Sequence, residues 1–266
     1  ASKSYILINA NSQTILSQQN AQEKLPPASL TKLLSLYIIE NYLKDGLAHD
    51  SDIALVSNKA RHAEGSRMFL EEGSQETIAK LVQGLIVTSG NDATITLAEH
   101  IAGSEEKFVE IMNATAKEIG MHNSHFVNAT GLPHPDHYST AYDLGLLALR
   151  FRNDHPTSMH KLSQKWLEYN HIKQHNRNTL LWKNPSITGM KTGHTKEAGY
   201  CLVASATEDN QDFLTVVLGD KTEQSRNQST TILLQHAQRN FEHIHFDQDP
   251  DIKPSRVWYS ASHTAQ

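Results

Sequence analysis

The chain has 266 residues, of which 38% are apolar and 7% aromatic, enough to bury one substantial core and too much for an intrinsically disordered segment. A net charge of −5 without any dense Lys/Arg run excludes the electrostatic footprint of a nucleic-acid binder. The single cysteine, Cys201, excludes an intrachain disulfide and a cysteine zinc cluster, and no run of about 18 apolar residues suggests a membrane span or a leader, so the chain reads as soluble.

From the N-terminus, Tyr5–Ala10 and Thr14–Ser17 are β-branched or apolar runs separated by Asn11-Ser12-Gln13, the pattern of a β-hairpin. After Pro26-Pro27, residues Ala28 to Glu40 predict a helix whose Leu33, Leu34, Leu36, Tyr37, Ile38 and Ile39 leave no polar face of useful width, so it is buried nearly all round. Ile78, Leu81, Val82, Leu85 and Ile86 recur at helical spacing up to a break at Ser89-Gly90-Asn91, and a second helix carries Ile95, Ala98 and Ile101. A third starts at the N-cap Ser104, with Glu105 and Glu106 in its first turn, and buries Phe108, Ile111, Met112, Thr115 and Ile119 before Gly120. Thr140, with Asp143 three residues on, caps a fourth.

β patterning returns at Gly189. Tyr200–Ala206 and Phe213–Leu218 are joined through Glu208-Asp209-Asn210 as a hairpin, and an amphipathic helix follows with Ile232, Leu233, His236, Ala237 and Phe241. Strands from both ends of the chain with a helical insertion between them predict an α+β fold on one antiparallel sheet. Residues 1–246 read as one domain. Residues 247–266 read as a linker and an unpartnered strand around Val257-Trp258-Tyr259, the start of a truncated β-rich second domain.

Three polar clusters carry the chemistry: Ser29-Leu30-Thr31-Lys32, Ser89-Gly90-Asn91 and Lys191-Thr192-Gly193. Three residues apart on a helix, Ser29 and Lys32 share a face. A serine hydroxyl must give its proton to a nearby base, and a lysine takes it only when neutral. The apolar run from Leu33 to Ile39 and a second cation, Lys191, would each push Lys32 toward neutrality. Ser89 stands where two helices meet, with Gly90 to let the backbone turn. It can relay a proton, and the Asn91 amide can both donate to and accept from a peptide. Taken alone, this cluster reads sooner as an ordinary turn between helices. Lys191 and the Thr192 hydroxyl suit a carboxylate, and Gly193 keeps the strand edge open to an extended substrate. The backbone N–H groups of Ser29 and His194 would then form an oxyanion hole.

Histidine is abundant, at 16, but the pairs His171/His175, His134/His137 and His243/His245 lack a metalloprotease motif or an obvious third ligand. They read as surface or capping residues, and neither a metal nor another cofactor is expected.

The ordered clusters are those of serine β-lactamases and penicillin-binding proteins. With Pro27-Ala28, Asp92-Ala93, Thr130-Gly131-Leu132, His194-Thr195 and Ala198-Gly199-Tyr200 around them, the chain resembles the low-molecular-mass penicillin-binding proteins, serine-type D-alanyl-D-alanine carboxypeptidases, over residues 5 to 246. The resemblance implies a β-lactamase/transpeptidase-like fold and removal of the terminal D-alanine from peptidoglycan stem pentapeptides through an acyl-enzyme on Ser29. It also implies acylation and inhibition by β-lactam antibiotics, and a periplasmic location. Arg226 and Arg177 stand where that family places arginines near the substrate carboxylate. The family's second β-rich domain and C-terminal membrane anchor are matched only by Arg256 to Ser260, so contact with the inner membrane is expected only if an anchor is missing from this chain.

Two other functions share the clusters. A class A β-lactamase needs a glutamate between the second and third, yet Ile119 to Leu167 contains none and Glu168-Tyr169-Asn170 lacks the Glu-x-x-Leu-Asn arrangement. A non-enzymatic penicillin-sensor domain is normally tied to membrane spans, and none is visible.

Overall fold

The computed structural model describes residues 1–244 and 255–256. β1 (Ser4–Asn9) and β2 (Thr14–Gln19) form the N-terminal hairpin. A 3₁₀ turn, Ala28–Leu30, leads into α1 (Thr31–Lys44). The ribbon of β3 (Ile53–Leu55) and β4 (Gln75–Thr77) encloses α2 (Asn58–Arg61). Then come α3 (Ile78–Val87), α4 (Asn91–Ala102), α5 (Glu105–Ile119) and α6 (Ala141–Asp154). A 3₁₀ segment, Pro156–Ser163, precedes a second ribbon of β5 (Trp166–Tyr169) and β6 (Ile172–His175), followed by α7 (Leu180–Lys183). The last elements are β7 (Ile187–Thr195), β8 (Gly199–Glu208), β9 (Gln211–Asp220), α8 (Glu223–Ile244) and β10 (Ser255–Arg256).

The expected sheet from both chain ends is present, antiparallel throughout, in the order β10-β2-β1-β9-β8-β7. Alternate side chains go to opposite faces. Ile6, Ile8, Val203, Leu214 and Val216 join the core shared with α1 and α3 to α6, whereas Leu7, Leu202, Ala204, Phe213 and Val217 pack with Leu233, Leu234 and Ala237 of α8. Buried on both sides, the central strands read as unbroken apolar runs instead of alternating ones. The turn between β8 and β9 has Asp209 and Asn210 at φ 50° and 62°, the left-handed pair that matches strand twist in a two-residue hairpin.

Several sequence expectations shift. The α-helix begins at Thr31 and not Ala28, because Ala28 at φ 50° cannot join an α-helix, and this leaves Ser29 in the 3₁₀ turn. α8 presents the stripe Thr230, Leu233, Leu234 and Ala237 to the sheet, which turns Ile232 outward, 55% exposed. On α5 the buried stripe is Phe108, Met112, Ala116 and Ile119, with Ile111 and Thr115 half-buried at its margins. The caps are as expected: Ser104 accepts the Lys107 N–H and Thr140 that of Asp143. The Asp143 carboxylate, however, reaches across to the Asn123 N–H and the Ser124 hydroxyl. The domain boundary at residue 246, the Phe241 side chain, and the strand around Val257–Tyr259 lie outside the described residues. The adjoining Ser255–Arg256 does have a partner, pairing with Ile15 and Thr14 of β2.

Candidate active site

Ser29 sits on its turn because two backbones press against it. Gly193 of β7 comes so near that a Cβ there would lie 3.0 Å from the Ser29 nitrogen and 3.1 Å from that of Leu30. Behind the turn, Gly131 at φ 95° packs on the Ala28 carbonyl, with which any side chain would collide. The serine turn itself therefore needs the room that Gly193 leaves. His137 adds a clamp one residue further on. Its Nδ1 accepts the Val127 N–H at 3.0 Å, so Nε2 carries the proton and donates it to Thr31 Oγ1 at 2.8 Å.

Lys32 points from the first turn of α1 into the protein and is wholly buried, with Nζ 2.7 Å from Ser29 Oγ and 3.1 Å from Ser89 Oγ. Lys191, 4% exposed, places its Nζ 3.0 Å from the same Ser89 oxygen and donates to the Thr192 carbonyl at 2.9 Å. Ser29, Lys32, Ser89 and Lys191 thus form one unbroken hydrogen-bonded chain. Burial holds the Lys32 amine well below the usual lysine range, and the charges of Lys191 and Arg177 add to this against an opposing pull from Asp92. Burial, with Arg177 and Arg226, brings Lys191 down to about 7.

The corner that carries Ser89 is braced from below. Ser89 itself takes the left-handed conformation, at φ 53°, while Gly90 has φ −66°, so the sharp turn expected of the glycine belongs to the serine. Gly90 is needed for space, since a Cβ would come within 3.2 Å of Asp92 Oδ1, Thr88 Oγ1 and the Met68 nitrogen. The buried Asp92 carboxylate accepts the N–H groups of Met68, Leu70 and Ala93 at 2.9 to 3.0 Å, tying α4 to the loop between α2 and β4. Asn91 is 5% exposed; its Nδ2 donates to the Glu64 carbonyl at 2.6 Å, and its buried Oδ1 has no partner within the chain.

β7 closes the sheet on this side, and its outer edge is paired with no strand among the described residues. That edge borders a cleft of about 350 Å³ walled by Ser29, Ser89, Thr192, Gly193, His194, Arg177 and Arg226, which brings every sequence-predicted cluster and both arginines to one place. Arg177 donates to Ser66 Oγ at 2.5 Å, and Arg226 donates to Asn227 Oδ1 and lies 3.6 Å from Glu223. Four wall residues had no assigned role: Ser66, His175, Tyr200 and Glu223. Tyr200 pairs with His194 across β7 and β8, and the two rings stack 3.9 Å apart. Only Tyr200 carried a signal, as part of the Ala198-Gly199-Tyr200 run. No group of three or more His, Cys, Asp and Glu side chains suited to a metal ion occurs among the described residues.

Residues 1–222 match the peptidase S11 model, D-alanyl-D-alanine carboxypeptidase. The chain belongs to that family. This serine-type D-Ala-D-Ala carboxypeptidase is 40% identical to the D-alanyl-D-alanine carboxypeptidase DacA of Haemophilus influenzae, over 97% of its own length and 67% of that protein's. The chain spans about two thirds of the length of the curated relatives it matches. It superposes on penicillin binding protein 5 from Haemophilus influenzae with a TM-score of 0.85 at 40% identity, covering 88% of this chain and 70% of that one. Penicillin-Binding Protein D2 from Listeria monocytogenes, solved in an ampicillin-bound form, gives 0.80 at 25% identity over 88% of this chain and 96% of its own. The antiparallel α+β architecture is thus that of the penicillin-binding proteins.

Proposed function

We propose that residues 1–246 are the catalytic domain of a periplasmic carboxypeptidase that uses Ser29 as nucleophile and Lys32 as its base. A D-Ala-D-Ala terminus lies along the free edge of β7, its carboxylate met by Thr192, Lys191, Arg226 and Arg177, and its backbone by the Asn91 amide, whose free Oδ1 is an acceptor awaiting a donor. Ser29 Oγ attacks the carbonyl of the penultimate D-alanine as its proton passes to neutral Lys32. The negative oxygen is held by the N–H groups of Ser29 and His194. Ser89 then hands a proton to the departing D-alanine nitrogen and is resupplied by Lys32 or Lys191, both within 3.1 Å. Water hydrolyses the resulting ester and releases the shortened peptide. A β-lactam, whose ring amide and carboxylate present the same features, acylates Ser29 by the same first step.

The observation that carries this reading is the buried Lys32 amine, held well below the usual lysine range, 2.7 Å from the Ser29 hydroxyl at the entrance to α1. A fast β-lactamase is disfavoured because Glu223 is the one carboxylate among the cleft walls and stands beside Arg226, while Glu168 is exposed on β5. The test is intact-protein mass spectrometry after penicillin, together with D-alanine release from a Lys-D-Ala-D-Ala peptide. The parent forms a slowly decaying adduct and releases D-alanine, and Ser29→Ala does neither. An adduct on Ser29→Ala removes the nucleophile, an adduct without D-alanine release fits a sensor, and rapid penicillin turnover fits a lactamase.

A further inference from the structure

Two cleft walls beside the arginines, Glu223 and His175, have no part in the steps above. Glu223 is exposed on the first turn of α8. Its Oε1 lies 3.6 Å from Arg226 Nη2 and accepts a hydrogen bond from Thr179 Oγ1 at 3.4 Å, whereas Oε2 has no partner among the described residues. His175 comes two residues before Arg177 and donates from Nδ1 to the Asn176 carbonyl at 2.9 Å, so in the neutral ring Nε2 is an acceptor. Both walls therefore present acceptors to whatever enters between them, and Glu223 adds a full negative charge.

That charge sits where a leaving residue must come. A carboxylate hydrogen-bonded to Arg226 holds its own Cα within about 5 Å of the guanidinium, hence at most about 9 Å from Glu223 Oε1. The four-carbon stem of a lysine spans about 6 Å of this gap, which brings its ammonium within hydrogen-bond reach. Arg177 and Arg226 would by themselves attract a second carboxylate as readily as the first. Glu223, on the same side chain as one of them, opposes it by like-charge repulsion.

We infer that Glu223 is a specificity-determining residue that selects the leaving D-amino acid by the charge of its side chain, favouring a cationic side chain over a neutral one and rejecting an acidic one. The ammonium of such a residue meets Glu223 Oε2, with His175 Nε2 as a second acceptor. This selectivity presupposes the carboxylate contacts proposed above, with Thr192, Arg226 and Arg177.

The test measures kcat/KM for release of the last residue from L-Ala-γ-D-Glu-L-Lys-D-Ala-X, at pH 8, with X as D-alanine, D-glutamine, D-glutamate, D-lysine or D-norleucine. Two ratios of near-equal shape isolate charge: glutamine over glutamate, and lysine over norleucine. Each exceeds one in the parent and falls about two- to fivefold in Glu223→Gln, the range for an exposed charge contact. Glu223→Asp, which keeps the charge, retains both preferences. Ratios taken on one enzyme sample do not depend on how much of it is folded. Ratios that are the same in the parent and Glu223→Gln overturn the inference, and so does a parent that releases D-alanine and none of the four larger residues. A parent that releases no residue, D-alanine included, removes the carboxypeptidase reading itself, and the selectivity with it.

Discussion

Two buried ammonium groups sharing one hydroxyl between them repel each other and are cut off from water, so neither keeps its ordinary proton affinity. For Lys191, brought down to about 7, the charge that attracts a substrate carboxylate is present below that pH and lost above it. The ratio of kcat/KM for a peptide ending in a carboxylate to that for the same peptide amidated should therefore fall as pH rises through about 7. A ratio that stays flat from pH 6 to 9 would show that Lys191 does not recognise the carboxylate. These groups were legible as residue types at a spacing, and the apolar run after Lys32 already implied a neutral amine. The backbone strain was not: nothing in the sequence places φ 53° on Ser89 and not on Gly90, because the crowding of Gly90 by Thr88, Asp92 and the Met68 nitrogen exists only after α3, α4 and the loop have met.

One of the polar ties between the start of α1 and the loop that follows α5 is an imidazole, His137 on Thr31. Burial, assisted by His125 and His134, pushes His137 down to about 4 from 6.5, and its Nδ1 is already occupied by the Val127 N–H. The unfolded chain takes up a proton as pH falls through 6.5, and the native one does not until about 4. Stability is thus intact above 6.5 and declines as pH falls between those values, by up to about 3 kcal/mol. Urea titrations between pH 7 and 4 should show this decline, reduced in His137→Gln; an unchanged decline in the variant would remove His137 as its source. The long helices were legible because their apolar positions repeat with the helical period and Ser104 and Thr140 cap in the expected way. Their buried stripes were misjudged at Ile111 and Ile232, where an apolar residue lies just off the contact line. The ribbons β3–β4 and β5–β6 escaped notice because each strand is four residues or fewer. The connection between β3 and β4 supplies Ser66 to the cleft, and the end of β6 supplies His175, only through tertiary packing.

The cleft lies where the edge of the sheet meets the helical layer, and each contributes part of the chemistry: Lys191 to His194 come from β7, Ser29 from the 3₁₀ turn, Lys32 from the start of α1, and Ser89 and Asn91 from the α3–α4 corner. The pairing of N- and C-terminal strands around a helical insertion was legible because apolar runs at both ends bracket a stretch of helical periodicity. The strand order was not, since a run buried on both faces says nothing about its neighbours.

Removing the base by Lys32→Ala, and following acylation by penicillin at pH 7, tests most directly the claim that a neutral buried amine activates Ser29. The rate should fall by about 10²- to 10⁴-fold, the usual contribution of a positioned general base, with the antibiotic still bound. Acylation of Lys32→Ala at the parental rate would contradict it.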